Sequence, residues 1–446
     1  MAQALDISAS YLNLIERDQR SLPSNLLVKL AERFDFDPRS LAGIEPGGGT
    51  EALRRRLADP MFADLEIDRH EIAEWLAAAP GGAEAFARAF DRASGGTHTT
   101  PGPDDPIVAV RREIERWRNH FPDLDAAAET LAEELRLVGA DMFGALVDRL
   151  RIKHGIALRV LPAEIMPDVL RRLDLHARQL QLNEMLEASG RAYAVAVQIA
   201  QLEARGEIDA LARGAGFTDR VAERLFRRHL HGYFAIALMM PYARFLRACE
   251  TTGYDVDILQ RRFGTGFEQI AHRLTTLQRV GGRGLPFFMI RVDRTGQCSR
   301  RFAGASGAAL VDAEERCPLW RLHHAFDRPG SETLHLVELE DGSRWFTQAR
   351  VVRAPGGRAG GGAGGARADV PAEFAIGIGL AADQARTLAA ARSVDLAGIA
   401  TPIGLGCVAC LRKNCPQRSA APIGRALVVG ERERGVSAFS FVRERD

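Results

Sequence analysis

Three cysteines near the C-terminal end carry the sharpest chemical pattern in the chain. Cys407 and Cys410 form a C-x2-C pair, and Cys415 follows after four intervening residues, directly before Pro416. Thiolates at this spacing can converge on one metal ion or one iron–sulfur cluster. A four-coordinate site needs one more ligand. Cys317, also followed by a proline, is the natural candidate from across the fold, with Cys298 in reserve. Cys249 sits in a helical stretch and reads as a small buried residue. Prolines behind two of the cysteines favour an iron–sulfur cluster slightly over zinc. Both stay open, as does a set of free structural thiols. A cluster would make redox state a second input. Six cysteines in 446 residues are not a disulfide framework.

A second constellation lies near the N-terminus, from Ser8 to Arg20. Ser8 can cap a helix, because its hydroxyl accepts from exposed first-turn amides. Leu12 and Ile15 then face inward. Ser10, Tyr11, Asn13, Arg17, Gln19 and Arg20 are left facing outward or at the helix end. Such side chains hydrogen-bond base edges and phosphates in a DNA major groove. Ser24 caps the next helix, which buries Leu27, Leu30, Ala31 and Phe34. Charge adds little, since basic and acidic residues nearly balance over 1–42. A phosphate-binding face must come from local placement, helix N-termini or dimerisation. An ordinary helical hairpin is the competing reading.

The elements that hold these residues follow from periodicity. The chain is too long for one ordinary domain, and its 46% hydrophobic content is ample for several cores. A net charge of +1 means the whole chain is no electrostatic magnet for nucleic acid. No apolar run of about 18 residues and no basic-then-apolar leader is present, so a cytoplasmic protein without a membrane span is expected. Residues 1–45 form a compact helical segment, and 46–106 a helical connector ending in the Gly/Pro-rich linker 94–103. Helical periodicity dominates 107–278. Near Gly281 the pattern changes. Leu285–Val292, the turn Asp293–Gly296 and Gln297–Phe302 predict one hairpin; Leu334–Leu339, Glu340–Gly342 and Arg344–Val352 predict another. Gly-rich 355–366 is a loop, 279–425 a mixed α+β part, and 426–446 a tail. The expected class is mainly α with an α+β C-terminal part.

The run SASYLNLIERDQRSLPSNLLVKLAERFDFD resembles the lambda-repressor-like (XRE-type) helix-turn-helix, which would place one further helix ahead of Met1. The apolar stretches Tyr193–Leu202 and Tyr233–Pro241 resemble the ImmA/IrrE metallopeptidase-like domain. In active members an H-E-x-x-H helix binds zinc with two histidines and activates water with the glutamate. Here the corresponding positions are Val197, Gln198 and Gln201. Valine cannot ligate, and glutamine is a poor ligand and no base. His229 and His231, two apart on a helix, point in different directions and cannot jointly substitute. The resemblance therefore implies a degenerate core and no peptidase activity. A zinc-dependent peptidase acting on a repressor and an iron–sulfur redox-sensing regulator are the rival functions.

The segment from Phe234 to Phe302, with CPLW (Cys317–Trp320) and CVACLRKNCPQR (Cys407–Arg418), is similar to the short-chain fatty-acyl transcriptional regulator family. That resemblance implies control of acetate and propionate use, double-stranded operator DNA as partner, a homodimer or higher homo-oligomer, and a short-chain acyl-CoA as effector. A CoA site needs cations for its phosphates and an apolar slot for the acyl chain. Arg273, Arg279, Arg283 and Arg291 surround Phe287 and Phe288, with Tyr242 and Trp320 as further wall. A core strand flanked by solvated arginines fits the same residues equally well.

Overall fold

Proline and aspartate set where the helices start. The computed structural model describes residues 46–57, 67–93, 105–136, 141–313, 315–358 and 371–442, with Ile7, Phe62 and Leu65 as single positions. The groove-reading set from Ser8 to Arg20 lies outside the described residues, as do the linker 94–103 and the stretch 359–370. The chain divides into two units. One comprises 1–100 with 423–426, the other 101–422 with 427–446.

Among the described residues of the first unit, three helices follow one another: α1 (Gly49–Leu57), α2 (Arg69–Ala78) and α3 (Pro80–Ala93). The Asp68 carboxylate accepts from the Glu71 N–H and so caps α2. Leu53, Ile72, Ala83 and Ala87 close a small core, with Trp75 set edge-on to Phe86.

The second unit opens with α4 (Pro106–Arg116), α5 (Pro122–Glu134) and α6 (Met142–His154). Proline stands at the start of α4 and α5, where its missing N–H would have no intrahelical partner anyway. Next come three short strands, β1 (Ala157–Leu161), β2 (Arg171–Asp174) and β3 (Gln179–Asn183), in the order β1-β3-β2. β3 runs parallel to β1 and antiparallel to β2. This sheet departs from the helical reading of 107–278. The reason is physical: β1 and β2 are five- and four-residue edge strands with no buried residue, so neither writes an alternating apolar pattern.

Helices then resume as α7 (Ala188–Glu203), α8 (Arg205–Gly214), α9 (Arg220–Met239), α10 (Tyr242–Thr252), α11 (Val256–Phe263) and α12 (Phe267–Thr275). Helix α9 buries Phe226, Leu230, Tyr233, Phe234 and Leu238 at helical spacing. It shares one core with α4–α8 and β3.

A mixed six-stranded sheet completes the unit. Its strands are β4 (Phe288–Val292), β5 (Cys298–Phe302), β6 (Thr333–Glu338), β7 (Arg344–Arg358), β8 (Pro371–Ala381) and β9 (Thr401–Pro402), in the order β5-β4-β8-β7-β6-β9. Both hairpins expected from the turn residues are present, with Arg291 opposite Arg300 and Val337 opposite Trp345. Alternate residues of β4 enter different cores: Met289 one, Phe288 and Ile290 the other. Residues 427–441 hold a further two-residue ladder. The architecture is thus helical first and mixed sheet last. Among the described residues no helix is long and apolar enough to cross a membrane.

Candidate functional site

The cysteines come together. Cys317, Cys407, Cys410 and Cys415 line one small cavity beside the β6–β9 edge of the six-stranded sheet. The loop that carries three of them is fastened by arginines. Arg418 is buried, and its guanidinium donates to the carbonyls of Cys407 (2.9 Å), Cys410 (2.9 Å) and Arg412 (2.8 Å). Arg412 in turn donates to the carbonyls of Glu338 and Leu339 at the end of β6. Gly404 faces the Cys410 thiol so closely that a Cβ there would stand 2.6 Å from Sγ. Burial pushes the thiols of Cys317 and Cys410 up, so without a cation they stay neutral. As placed, among the described residues, no three His, Cys, Asp or Glu side chains are arranged to grip a metal ion. Cys298 stands apart on β5, its Sγ 3.2 Å from the Arg300 carbonyl. Cys249 is buried in the core beneath α10.

A second cluster lies on α7, the helix that carries the Tyr193–Leu202 stretch. Arg171 on β2 sends Nη1 2.9 Å to Gln198 Oε1 and 3.4 Å to Gln201 Oε1. A guanidinium thus stands against the positions where the resemblance would put metal ligands. Among the described residues Arg171 has no carboxylate partner, and burial pulls its pKa down. Arg228 and Arg300 act electrostatically on the same neighbour, the Tyr193 hydroxyl, which burial pushes up. Gly232 on α9 leaves that hydroxyl room, since a Cβ there would stand 2.7 Å away. Glu268, which also acts on that hydroxyl, is shared by Arg300 (3.0 Å) and Arg291 (3.4 Å).

Two histidines, His272 buried and His229 half-buried, adjoin this cluster. Burial, then Arg300, holds His229 down at about 3. Burial, His229 and Arg300 keep His272 well below its ordinary value. Both are therefore neutral. His229 Nε2 lies 3.2 Å from Asn119 Oδ1, whereas His272 Nε2 is buried without a hydrogen-bond partner. The Phe302 ring packs 4.7 Å from the His272 ring. His231 is only half-buried and takes no part in that stack.

The structure does not assemble the effector pocket expected from Arg273, Arg279, Arg283, Phe287, Phe288, Arg291 and Trp320. Phe287 packs on Tyr254 on one side of the sheet, while Phe288 packs on Trp320 and Trp345 on the other. Neighbouring residues of an extended segment face opposite ways, so the two rings cannot share a slot. Arg273 is wholly buried. Its guanidinium donates to Asp125 Oδ1 (2.7 Å), the Met240 carbonyl (3.0 Å) and Thr276 Oγ1 (2.9 Å). Burial works to raise the Asp125 carboxyl, but Arg273 and the bonds from His120, Arg273 and Tyr233 outweigh it and hold it at about 2. Arg279 is paired with Glu129 at 2.6 Å and stacked 4.1 Å over Tyr242. Arg291 lies 3.8 Å over Phe374. Arg283 is exposed in the turn before β4. The arginines that do gather come from β2, α9 and β5, too far apart in sequence to form a motif. Gln198 was the available signal: a glutamine on a buried helix face demands a partner.

Comparison with known proteins places the chain among transcription factors. Residues 276–439 match the family described as short-chain fatty acyl coenzyme A regulator, C-terminal, and residues 152–275 match the IrrE N-terminal-like domain. The HTH-type transcriptional regulator RamB of Mycobacterium tuberculosis is 33% identical, over 98% of this chain and 94% of that protein. The propionyl-CoA carboxylase regulator of Cereibacter sphaeroides is 32% identical, over 99% and 94%. The HTH-type transcriptional regulator PrpR of M. tuberculosis is 31% identical, over 97% and 90%. A solved M. tuberculosis transcriptional regulator superposes with a TM-score of 0.69 at 30% identity, over 75% of this chain and 99% of that one.

Proposed function

The chain belongs to the short-chain fatty acyl coenzyme A regulator family, and on that premise we propose that it is a DNA-binding transcriptional regulator of short-chain fatty acid metabolism that senses a short-chain acyl-CoA. Operator binding is assigned to residues 1–45, through Ser8, Ser10, Tyr11, Asn13, Arg17, Gln19 and Arg20. Binding DNA puts the protein in the cytoplasm.

One observation carries the sensing half of this reading. Arg171, Arg228 and Arg300 act electrostatically on the Tyr193 hydroxyl, with Glu268 opposing them, beside the unpartnered Nε2 of neutral His272. An excess of guanidinium groups suits the phosphates of a coenzyme. A buried imidazole N–H suits a thioester carbonyl, and the Phe302 ring suits a short acyl chain. The rival peptidase reading needs a metal-bound water at Gln198 and Gln201, where Arg171 already donates. Titration calorimetry with acetyl-CoA, propionyl-CoA and free CoA tests the proposal. The acyl-CoA forms should bind more tightly than CoA and should alter a gel shift on the protein's own promoter. Equal binding of all three, or none, would overturn it.

The four cysteines are proposed as a metal centre, either iron–sulfur or zinc. Their common cavity and the Gly404 cradle for Cys410 fit thiolate ligation. A cluster would supply one-electron chemistry, whereas zinc would only tie the loop to β6. This chain's own contribution is the Arg418 and Arg412 fastening that brings the loop to Cys317. Cys407→Ser should lower bound metal and loosen residues 403–418; metal content equal to wild type would reject the assignment.

A further inference from the structure

We propose that the free edge of β2 is a self-association seam, at which two copies of this chain join their three-stranded sheets into one six-stranded sheet. The inference rests on strand geometry and not on the effector reading.

In the order β1-β3-β2, β2 has β3 on one side, and among the described residues no strand pairs with its other side. The Asn183 N–H donates to the Leu170 carbonyl, which fixes the phase of the antiparallel ladder. Arg172 and Asp174 therefore spend their backbone groups on β3, opposite Gln181 and Gln179. The N–H and C=O of Arg171 and Leu173 point outward, as an open template for another strand.

The side chains suit one partner, a second copy related by a two-fold axis through Leu173. In that antiparallel pairing Leu173 meets Leu173 of the second copy and the two exchange both backbone hydrogen bonds. Arg172 then lies directly across from Asp174 of the second copy, and the axis makes this pair twice. Both ends are available. Arg172 is exposed and, among the described residues, bonded only through Nε to Gln181. Asp174 takes the Ala177 N–H on Oδ1, leaving Oδ2. On the opposite face the seam continues the core lined by Leu173, Leu180 and Leu182. At its ends stand Leu170 and Leu175, which are 38% and 76% exposed. On one face of this edge Arg172 and Asp174 are self-complementary in charge, and on the other Leu173 stands beside Arg171.

Sedimentation of the full chain over a concentration series tests the seam with three variants. Arg172→Asp sets acid against acid, and Asp174→Arg sets base against base. Each should weaken self-association by roughly tenfold, because every swap spoils two cross-strand pairs. The double swap, Arg172→Asp with Asp174→Arg, restores opposite charges and should recover it. Hydrogen exchange gives a second readout free of mutation: the Leu173 amide should be protected at high protein concentration and exposed at low. A chain that stays monomeric, single swaps without effect, a double swap that fails to recover, or a Leu173 amide indifferent to concentration would each overturn the proposal. Acyl-CoA binding measured on the same variants keeps this outcome separate from that of the effector site.

Discussion

Two arginine-centred clusters in the same unit show opposite uses of one side chain. Around Asp125, Arg273 spends its donors on a carboxylate, a carbonyl and a hydroxyl, while His120 and Tyr233 take up the second carboxylate oxygen. Around Tyr193, Arg171 reaches two glutamines, and Glu268 is shared by Arg300 and Arg291. The first cluster is closed, with each charge matched inside the protein. The second keeps cationic surplus and an unpartnered imidazole nitrogen. A closed buried pair stabilises a fold only while it is whole; an open cluster is where an outside anion lowers the free energy most.

The largest effect expected from this contrast falls on the closed cluster. Arg273→Ala leaves Asp125 buried and uncompensated, at a cost of about 3–5 kcal/mol. Urea denaturation monitored by circular dichroism should show it. A loss under about 1 kcal/mol would mean that water reaches Asp125 and that the two clusters differ less than their burial indicates.

Arg171→Ala should do the reverse. It removes a partly buried cation that has no carboxylate to compensate it, while buried Gln198 Oε1 loses its donor, so stability should fall by about 1 kcal/mol, well short of the Arg273→Ala loss. Loss of one charged hydrogen-bond donor to a phosphate costs about 1.5–3 kcal/mol, or roughly tenfold to hundredfold in the Kd for propionyl-CoA. Calorimetry on the folded variant reads it directly. Unchanged affinity together with a larger loss of stability would make Arg171 a second structural arginine and erase the distinction.

The contrast also shows what the sequence could disclose. The hairpins β4–β5 and β6–β7 were legible because Asp293–Gly296 and Glu340–Gly342 are local turn chemistry. The cysteine constellation was legible because C-x2-C spacing is local too. Arg273 was misread as a ligand-binding cation because its partner, Asp125, lies 148 residues away. Arg171 was missed for the same reason: nothing near it in sequence announces Gln198, Arg228 or Arg300. The three-stranded sheet hid because two of its strands have no fully buried residue. Burial and pairing of charge are properties of the packed chain, and periodicity does not encode them.

Acid should reach the histidines beside the open cluster before it reaches Asp125. His229 and His272 have folded pKa values below the unfolded value of roughly 6.5, so the unfolded chain binds protons first as pH falls. Their contribution to stability is complete above that pH and is lost on the way down, by up to about 1.4 kcal/mol per pH unit for each ring. For His229 the loss continues to about pH 3. Asp125, held at about 2, contributes fully above its unfolded value and gives way only between there and pH 2. Stability measured from pH 7 to 4 should therefore decline, and His229→Phe should flatten the slope by about one proton. A flat wild-type profile over that range would show both rings already protonated or exposed.

Arg279 gives the smallest effect and the finest test. It carries the same charge as Arg171 and belonged, with Arg273, to the pocket expected from the sequence, yet it is matched by Glu129 and laid on Tyr242. Both contacts are partly open to solvent, which limits their worth to about 1 kcal/mol together. Arg279→Ala should lower stability by no more than that and leave the propionyl-CoA affinity unchanged. If affinity falls as far as in Arg171→Ala, the coenzyme engages a cation already paired within the protein, and internal pairing ceases to separate structural arginines from those that meet a ligand.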